Sequence, residues 1–193
     1  MKIKAMIVGA VALCVLSLGW AWAGPESKGA PVKLGGKKVL VAYFSHTGNT
    51  RALASMIHKS VGGDVFEIVS AVPYPNDYEE VKDRAQKELE SGARPKLKSH
   101  LANAAGYDVI FVGYPNWWGT LPTPVMTFLT ENAFAGKTVI PFCTNEGSGL
   151  GRSVGDLAKL CPRAKILSGL AVRGHSVKEA QGDVSAWLRR IGF

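Results

Sequence analysis

Three observations predict an α/β fold for this chain, a three-layer, doubly wound sheet of five parallel strands. Short, unbroken apolar runs of strand length recur after residue 36, as in strands covered on both faces. Each is followed by a stretch in which apolar residues return every three or four positions, the stripe of an amphipathic helix. Strand and helix alternate to the end of the chain, the pattern of βα units around a parallel sheet. The 47% hydrophobic content suits a globular core, and there is no repeat, heptad run or low-complexity tract.

Residues 1–23 precede this domain. Lys2 and Lys4 lead into an uncharged run, Ala5 to Ala23, that closes on Ala21-Trp22-Ala23 before Gly24. A charged start, an apolar middle and an A-x-A end make a signal peptide, which predicts export, to the periplasm. Roughly 18 apolar residues can span a bilayer, so an uncleaved anchor is the alternative and the only membrane contact expected. Cys14 follows bulky Leu13 and suits a lipoprotein acceptor poorly. No twin-arginine pair is present, so export would be of the unfolded chain. Cleavage would remove Lys2 and Lys4 and lower the formal charge from +8 to +6. Residues 24–36 read as a flexible Gly/Pro/Lys linker, and 37–193 as the domain.

Within the domain, Lys38–Phe44 is the first strand, and Leu53, Met56, Ile57 and Val61 mark the helix after it. Asp64–Ser70 is the second strand, followed by a helix carrying Tyr78, Val81, Ala85 and Leu89. Glu79, Glu80, Glu88 and Glu90 read as its charged outer face. A polar connection with Pro95 leads to the third strand, Asp108–Tyr114, and a helix bearing Val125, Phe128 and Leu129. Lys137–Cys143 is the fourth strand, with Val154, Leu157, Ala158 and Cys161 on the next helix. Ala164–Val172 is the fifth, and Val184, Trp187, Leu188 and Ile191 close the chain as a helix.

Ligands of such sheets sit beyond the carboxyl ends of the strands, and three loops there are unusual. After the first strand, Ser45-His46-Thr47-Gly48-Asn49-Thr50 offers three hydroxyls, an amide and a glycine at a helix start. Unpaired N–H groups and the helix dipole favour an anion at such a place, so the loop reads as a phosphate cradle. After the third strand comes Pro115-Asn116-Trp117-Trp118-Gly119-Thr120, where adjacent loop tryptophans call for a flat partner. After the fourth, Thr144-Asn145-Glu146-Gly147-Ser148-Gly149 permits close backbone approach. Together these suit a planar mononucleotide.

At this point the chain resembles the flavodoxin-like family, over roughly residues 38–193. The resemblance rests on S-x-T-G-N-T at 45–50, Y-P-N-W-W-G-T at 114–120 and P-F-C-T-N-E-G-S-G at 141–149. It implies sheet order 2-1-3-4-5 and FMN as cofactor. Ser45, His46, Thr47, Gly48, Asn49 and Thr50 would form the phosphate loop. Pro115, Asn116, Trp117, Trp118 and Gly119 would flank the ring, with Thr144, Glu146, Gly147 and Ser148 on the third side. The flavin would carry the chemistry, so no catalytic side chain is expected. Familiar electron-carrying flavodoxins are acidic and cytoplasmic, whereas this chain is basic and reads as exported.

Other chemistries are weaker. Gly151-Arg152-Ser153-Val154-Gly155 matches a nucleophile elbow, with Asp156 and His175 in hydrolase order, but Ser153 does not directly follow a strand. No P-loop or G-x-G-x-x-G occurs, and the histidines lack metal-ligand spacing, so no metal is expected. Scattered Lys and Arg, without a basic-aromatic block, do not suit nucleic acid. Cys143 and Cys161 fall at opposite ends of a βα unit, which predicts two free thiols. The expected function is a flavin redox protein passing electrons to a protein partner or a quinone-like acceptor. The alternatives are an NAD(P)H-dependent quinone or flavin reductase and a non-catalytic FMN-binding module.

Overall fold

The computed structural model describes residues 36–132 and 134–193. The signal segment and all of the linker but Gly36 lie outside them. Among the described residues no helix is long and apolar enough to cross a membrane.

Strands β1 (Val39–Tyr43), β2 (Asp64–Glu67), β3 (Val109–Pro115), β4 (Thr138–Asn145) and β5 (Lys165–Ile166) form a parallel sheet in the order β2-β1-β3-β4-β5. Helices α1 (Asn49–Val61), α2 (Tyr78–Glu90), α3 (Thr123–Glu131), α4 (Ser153–Leu160) and α5 (Gln181–Arg190) cover its two faces. Every residue of β1 is buried, which is why that strand reads as a continuous apolar run. Alternate residues then serve different layers. Val41, Phe111, Ile140 and Phe142 pack against Leu53, Ile57, Val184 and Trp187 of α1 and α5. Leu40, Ala42, Ile110, Val112 and Val139 meet Val81, Val125, Phe128 and Leu157 on the other side. Full burial of each such side chain contributes about 1.5–3 kcal/mol.

The fifth strand differs from the sequence expectation. It is split into β5 and a separate β6 (Leu170–Arg173), and both pair with β4. The cause is Pro141. Lys165 and Leu167 donate to the carbonyls of Lys137 and Val139, so odd-numbered residues of β4 face this neighbour. Pro141 continues that parity but has no N–H, and the ladder lapses there until Phe142 pairs with Leu170. Strand β4 also runs two residues further than expected, because Asn116 N–H donates to the Thr144 carbonyl. Thr144 and Asn145 are therefore strand residues and not loop. Likewise β2 stops at Glu67. Beyond it, Ala71 and Lys98 bond antiparallel to Lys96 and Val69, so part of the connection around Pro95 is paired rather than free.

At Gly113 of β3 the paired residue on β4 leaves no room for a side chain. A Cβ there would overlap the ring of fully buried Phe142. Gly113→Ala should therefore destabilise the domain by about 1–3 kcal/mol, the usual cost of overpacking. Urea unfolding of the two proteins checks this; an unchanged midpoint would mean that the Phe142 ring can yield.

Candidate functional site

The carboxyl ends of β1, β3, β4 and β6 open onto one cleft of about 530 Å³, within the usual range for small-molecule sites. Its lining brings together His46, Thr47, Asn49, Pro115, Asn116, Trp117, Thr144, Glu146, Gly147 and Ser148, residues expected from three separate loops. It also includes Asn76, Tyr78, Val81, Asn145 and Gly174, which sequence reasoning did not name as site residues. Neither Lys nor Arg lines it. Arg51, on the first turn of α1, is paired instead with Glu67.

The first wall is the start of α1. Gly48, with φ 95°, turns the chain into the helix, and Ser45 Oγ accepts from Arg51 N–H at 3.2 Å. Among the described residues nothing accepts from the N–H groups of Thr47, Gly48, Asn49 or Thr50. Four free donors at the positive end of a helix dipole make an anion cradle. Thr50 itself lies outside the lining. Its hydroxyl is buried and hydrogen-bonded to Thr144 Oγ1 at 2.8 Å, so it fastens the cradle to β4.

The second wall is Trp117. Its indole stands edge-on to Phe44, Tyr74 and His46, with ring centroids 5.4, 5.0 and 6.0 Å away. Trp118 does not face this cleft. Trp117 and Thr120 exchange backbone hydrogen bonds of 3.1 and 3.0 Å, closing a two-residue turn through Trp118 and Gly119. Both central residues have positive φ, 53° and 76°, as a type I′ turn requires.

The third wall is the glycine loop, organised by Asn145. Its Oδ1 accepts from the N–H of Gly147 (2.8 Å) and of Gly149 (3.1 Å), while Nδ2 donates to the Val172 carbonyl. Asn116 Nδ2 donates to the Gly149 carbonyl at 2.7 Å, leaving Asn116 Oδ1 buried without a donor. A local Asx-type interaction explains Asn145, and an Asn two residues before a glycine was the available sequence signal.

Behind Trp117 lies a polar network around Glu88, which the sequence reading placed on the outer face of α2. Glu88 is half-buried and accepts from Tyr74, Thr123 and Arg84. The Arg84 guanidinium also sits 4.0 Å over the Tyr74 ring. Burial pushes the Glu88 carboxyl up, but the hydrogen bonds from Thr123, Tyr74 and Arg84 outweigh it and hold its pKa below the usual range.

The elbow-like motif forms no triad. Ser153 is fully buried and bonded to Tyr114 Oη at 2.8 Å. Asp156 is taken by Thr120, Arg152 and Lys159, and His175 is exposed on the 3₁₀ turn Gly174–Glu179. Cys143 and Cys161 are both free and buried, and burial raises their thiols to about 12 and about 11. His58, on α1, is half-buried with Nε2 3.0 Å from the Gly63 carbonyl.

Comparison with known proteins agrees with the fold. The model of the Flavodoxin family matches residues 38–191. A candidate flavoprotein of Bacteroides eggerthii DSM 20697 is 36% identical, with TM-score 0.72 over 81% of this chain and 99% of that one. One from Bacteroides uniformis ATCC 8492 is 35% identical, with TM-score 0.71 over 80% and 99%. A flavoprotein of Lactobacillus acidophilus NCFM, solved in complex with FMN, shares the fold at 23% identity, TM-score 0.58, over 76% and 99%. No curated protein matches.

Glu88 makes stability pH-dependent with a definite sign. A lowered folded pKa means its contribution is complete above the unfolded carboxylate value of about 4.3 and is lost as pH falls through the folded one. Glu88→Gln should therefore be less stable than the parent at pH 7, with the gap narrowing towards pH 2. Thermal melts across that range test it; a gap independent of pH would mean that the charge is not what matters.

Proposed function

Because the chain belongs to the flavodoxin family, we propose that it binds FMN in this cleft and passes electrons through it, outside the cytoplasm. The recipient is a protein partner or a small quinone-like acceptor. One observation carries the reading: a helix start with four free N–H donors, a tryptophan wall and a glycine loop converge on a single cleft. An anion cradle beside an aromatic wall is what a phosphate-bearing planar ring needs. The FMN complex of the Lactobacillus acidophilus relative supports this choice of ligand.

The residues present fit the group. Thr47 and the free N–H groups at 47–50 would hold the phosphate, without a lysine or arginine. Trp117 and Pro115 would flank the ring, and Gly147 and Ser148 would close on it from the loop that Asn145 holds. Asn116 Oδ1, a buried acceptor lacking a donor, suits a ring N–H. Bound FMN would supply the electron-transfer chemistry, and the protein its orientation and field.

The sequence supports this reading of location and partner. The signal-like segment at 1–23 supports export to the periplasm, where nicotinamide coenzymes are scarce. The +6 charge of the cleaved chain favours docking to an acidic redox protein or an anionic surface, by an attraction that salt screens. NAD(P)H-dependent quinone or flavin reduction is the second reading.

Two experiments test the proposal. Titrated with FMN and with riboflavin, Thr47→Ala should lose at least tenfold more affinity for FMN; equal losses would place the phosphate elsewhere. The loaded protein should bleach slowly with NADPH or NADH and fractionate with the periplasm. Bleaching within seconds, with recovery from the cytoplasm, would replace the carrier reading by a reductase.

A further inference from the structure

A second pocket, of about 270 Å³, opens beside the cleft. Its lining is Tyr78, Val81, Lys82 and Ala85 of α2 with Asn116, Trp117 and Trp118 of the loop after β3. It shares Tyr78, Val81, Asn116 and Trp117 with the cleft, so the two spaces have a common wall.

The wall facing solvent is aromatic, exposed and rigid. Tyr78 is 75% and Trp118 43% exposed, the two aromatic rings among the exposed large hydrophobic side chains of the described residues. An indole in the left-handed region is strained and persists only where its surroundings hold it. Here they do. Trp118 Nε1 donates to the Lys82 carbonyl of α2 at 3.0 Å. From the other side, Arg152 donates through its backbone N–H to the Gly119 carbonyl at 2.8 Å and through Nη1 to the Trp118 carbonyl at 3.2 Å. Asp156 completes the clamp, accepting from Arg152 Nε and from Thr120 Oγ1 at 2.7 Å. Two helices thus hold one surface indole in a conformation that a glycine would adopt more easily.

We propose that this pocket binds a planar carbonyl compound of one or two rings, a quinone-type ring, directly beside the cleft; as an acceptor site it rests on the flavin reading. Size and chemistry select that class. At about 270 Å³ the pocket lies just below the usual range for drug-sized ligands, about 300–1,000 Å³, and so excludes a dinucleotide. Val81 and Ala85 in its lining are buried and apolar, and Trp118 and Tyr78 add two aromatic rings. Lys82 supplies the polar edge: its ammonium pairs with Glu79, and two further N–H donors remain for a carbonyl oxygen. A ligand seated there would share Trp117 with whatever fills the cleft.

The probe is duroquinone, a single fully substituted ring that cannot alkylate thiols. It is titrated calorimetrically into the full-length chain, both FMN-free and FMN-loaded. The variants are Trp118→Gly, which suits a φ of 53° and removes the indole, and Tyr78→Ala at an exposed position. Melting curves confirm folding, and Lys82→Met replaces either variant if it fails to fold. The expected result is duroquinone binding to the parent that weakens at least tenfold in Trp118→Gly and threefold in Tyr78→Ala, with the FMN affinity of Trp118→Gly, whose residue lies outside the lining of the cleft, unchanged within twofold. No binding to the parent, or equal binding to the folded variants, would overturn the proposal. So would a parallel loss of FMN affinity in Trp118→Gly, since the pocket would then be part of the cleft. A chain that fails to take up FMN sinks the flavin reading alone, because the pocket's walls are all protein and the FMN-free titration still decides it.

Discussion

The buried hydrogen bond between Thr50 and Thr144 is the interaction on which the site's geometry depends. It joins the second residue of α1 to the end of β4, across 94 residues of sequence. Both hydroxyls are almost inaccessible, so each would be an unpaired buried polar group without the other, at about 1–3 kcal/mol. The bond therefore fixes more than stability. It holds the free N–H groups of the helix start at a set distance from the glycine loop, which leaves β4 immediately after Asn145. A cradle and a loop from opposite halves of the domain become one site because two threonines need each other.

The sheet makes such a meeting possible. In a parallel sheet every strand delivers its following loop to the same edge, and right-handed crossovers place α1 and α3 on opposite faces. The phosphate-type donors, the tryptophan wall and the glycine loop thus arrive together without any long excursion of the chain. Gly113 and Phe142 belong to the same arrangement. Their close contact sets β3 and β4 side by side just below the point where Asn116 bonds to Thr144.

This much was legible in the sequence, since strands buried on both faces announce themselves as apolar runs and odd loops announce themselves by composition. What stayed hidden depended on pairing. The lapse between β5 and β6 requires knowing which side of β4 Pro141 faces, and that parity exists only once the ladder is formed. The role of Thr50 is similar: a hydroxyl at a helix start reads as a ligand donor until its buried partner on another element is known. Asn145 was passed over because its contribution is made through the backbone of its neighbours. Tyr78 was assigned to an apolar helix stripe, but it occupies the first position of α2, beyond the turn that meets the sheet.

Helix α2 connects these features. Only Val81 and Ala85 of it are buried, so hydrophobic packing alone holds it weakly. Its attachment depends on Glu88, which gathers Tyr74, Thr123 and Arg84, and on the Trp118 indole bonded to the Lys82 carbonyl. The same helix supplies Tyr78 and Val81 to the cleft and four residues to the pocket beside it. Tyr74 rests against Trp117 on one side and bonds to Glu88 on the other. A shift of α2 would thus widen both spaces at once and would disturb the tryptophan between them. Polar tethers, in place of a larger apolar face, thus set where this wall of both spaces stands.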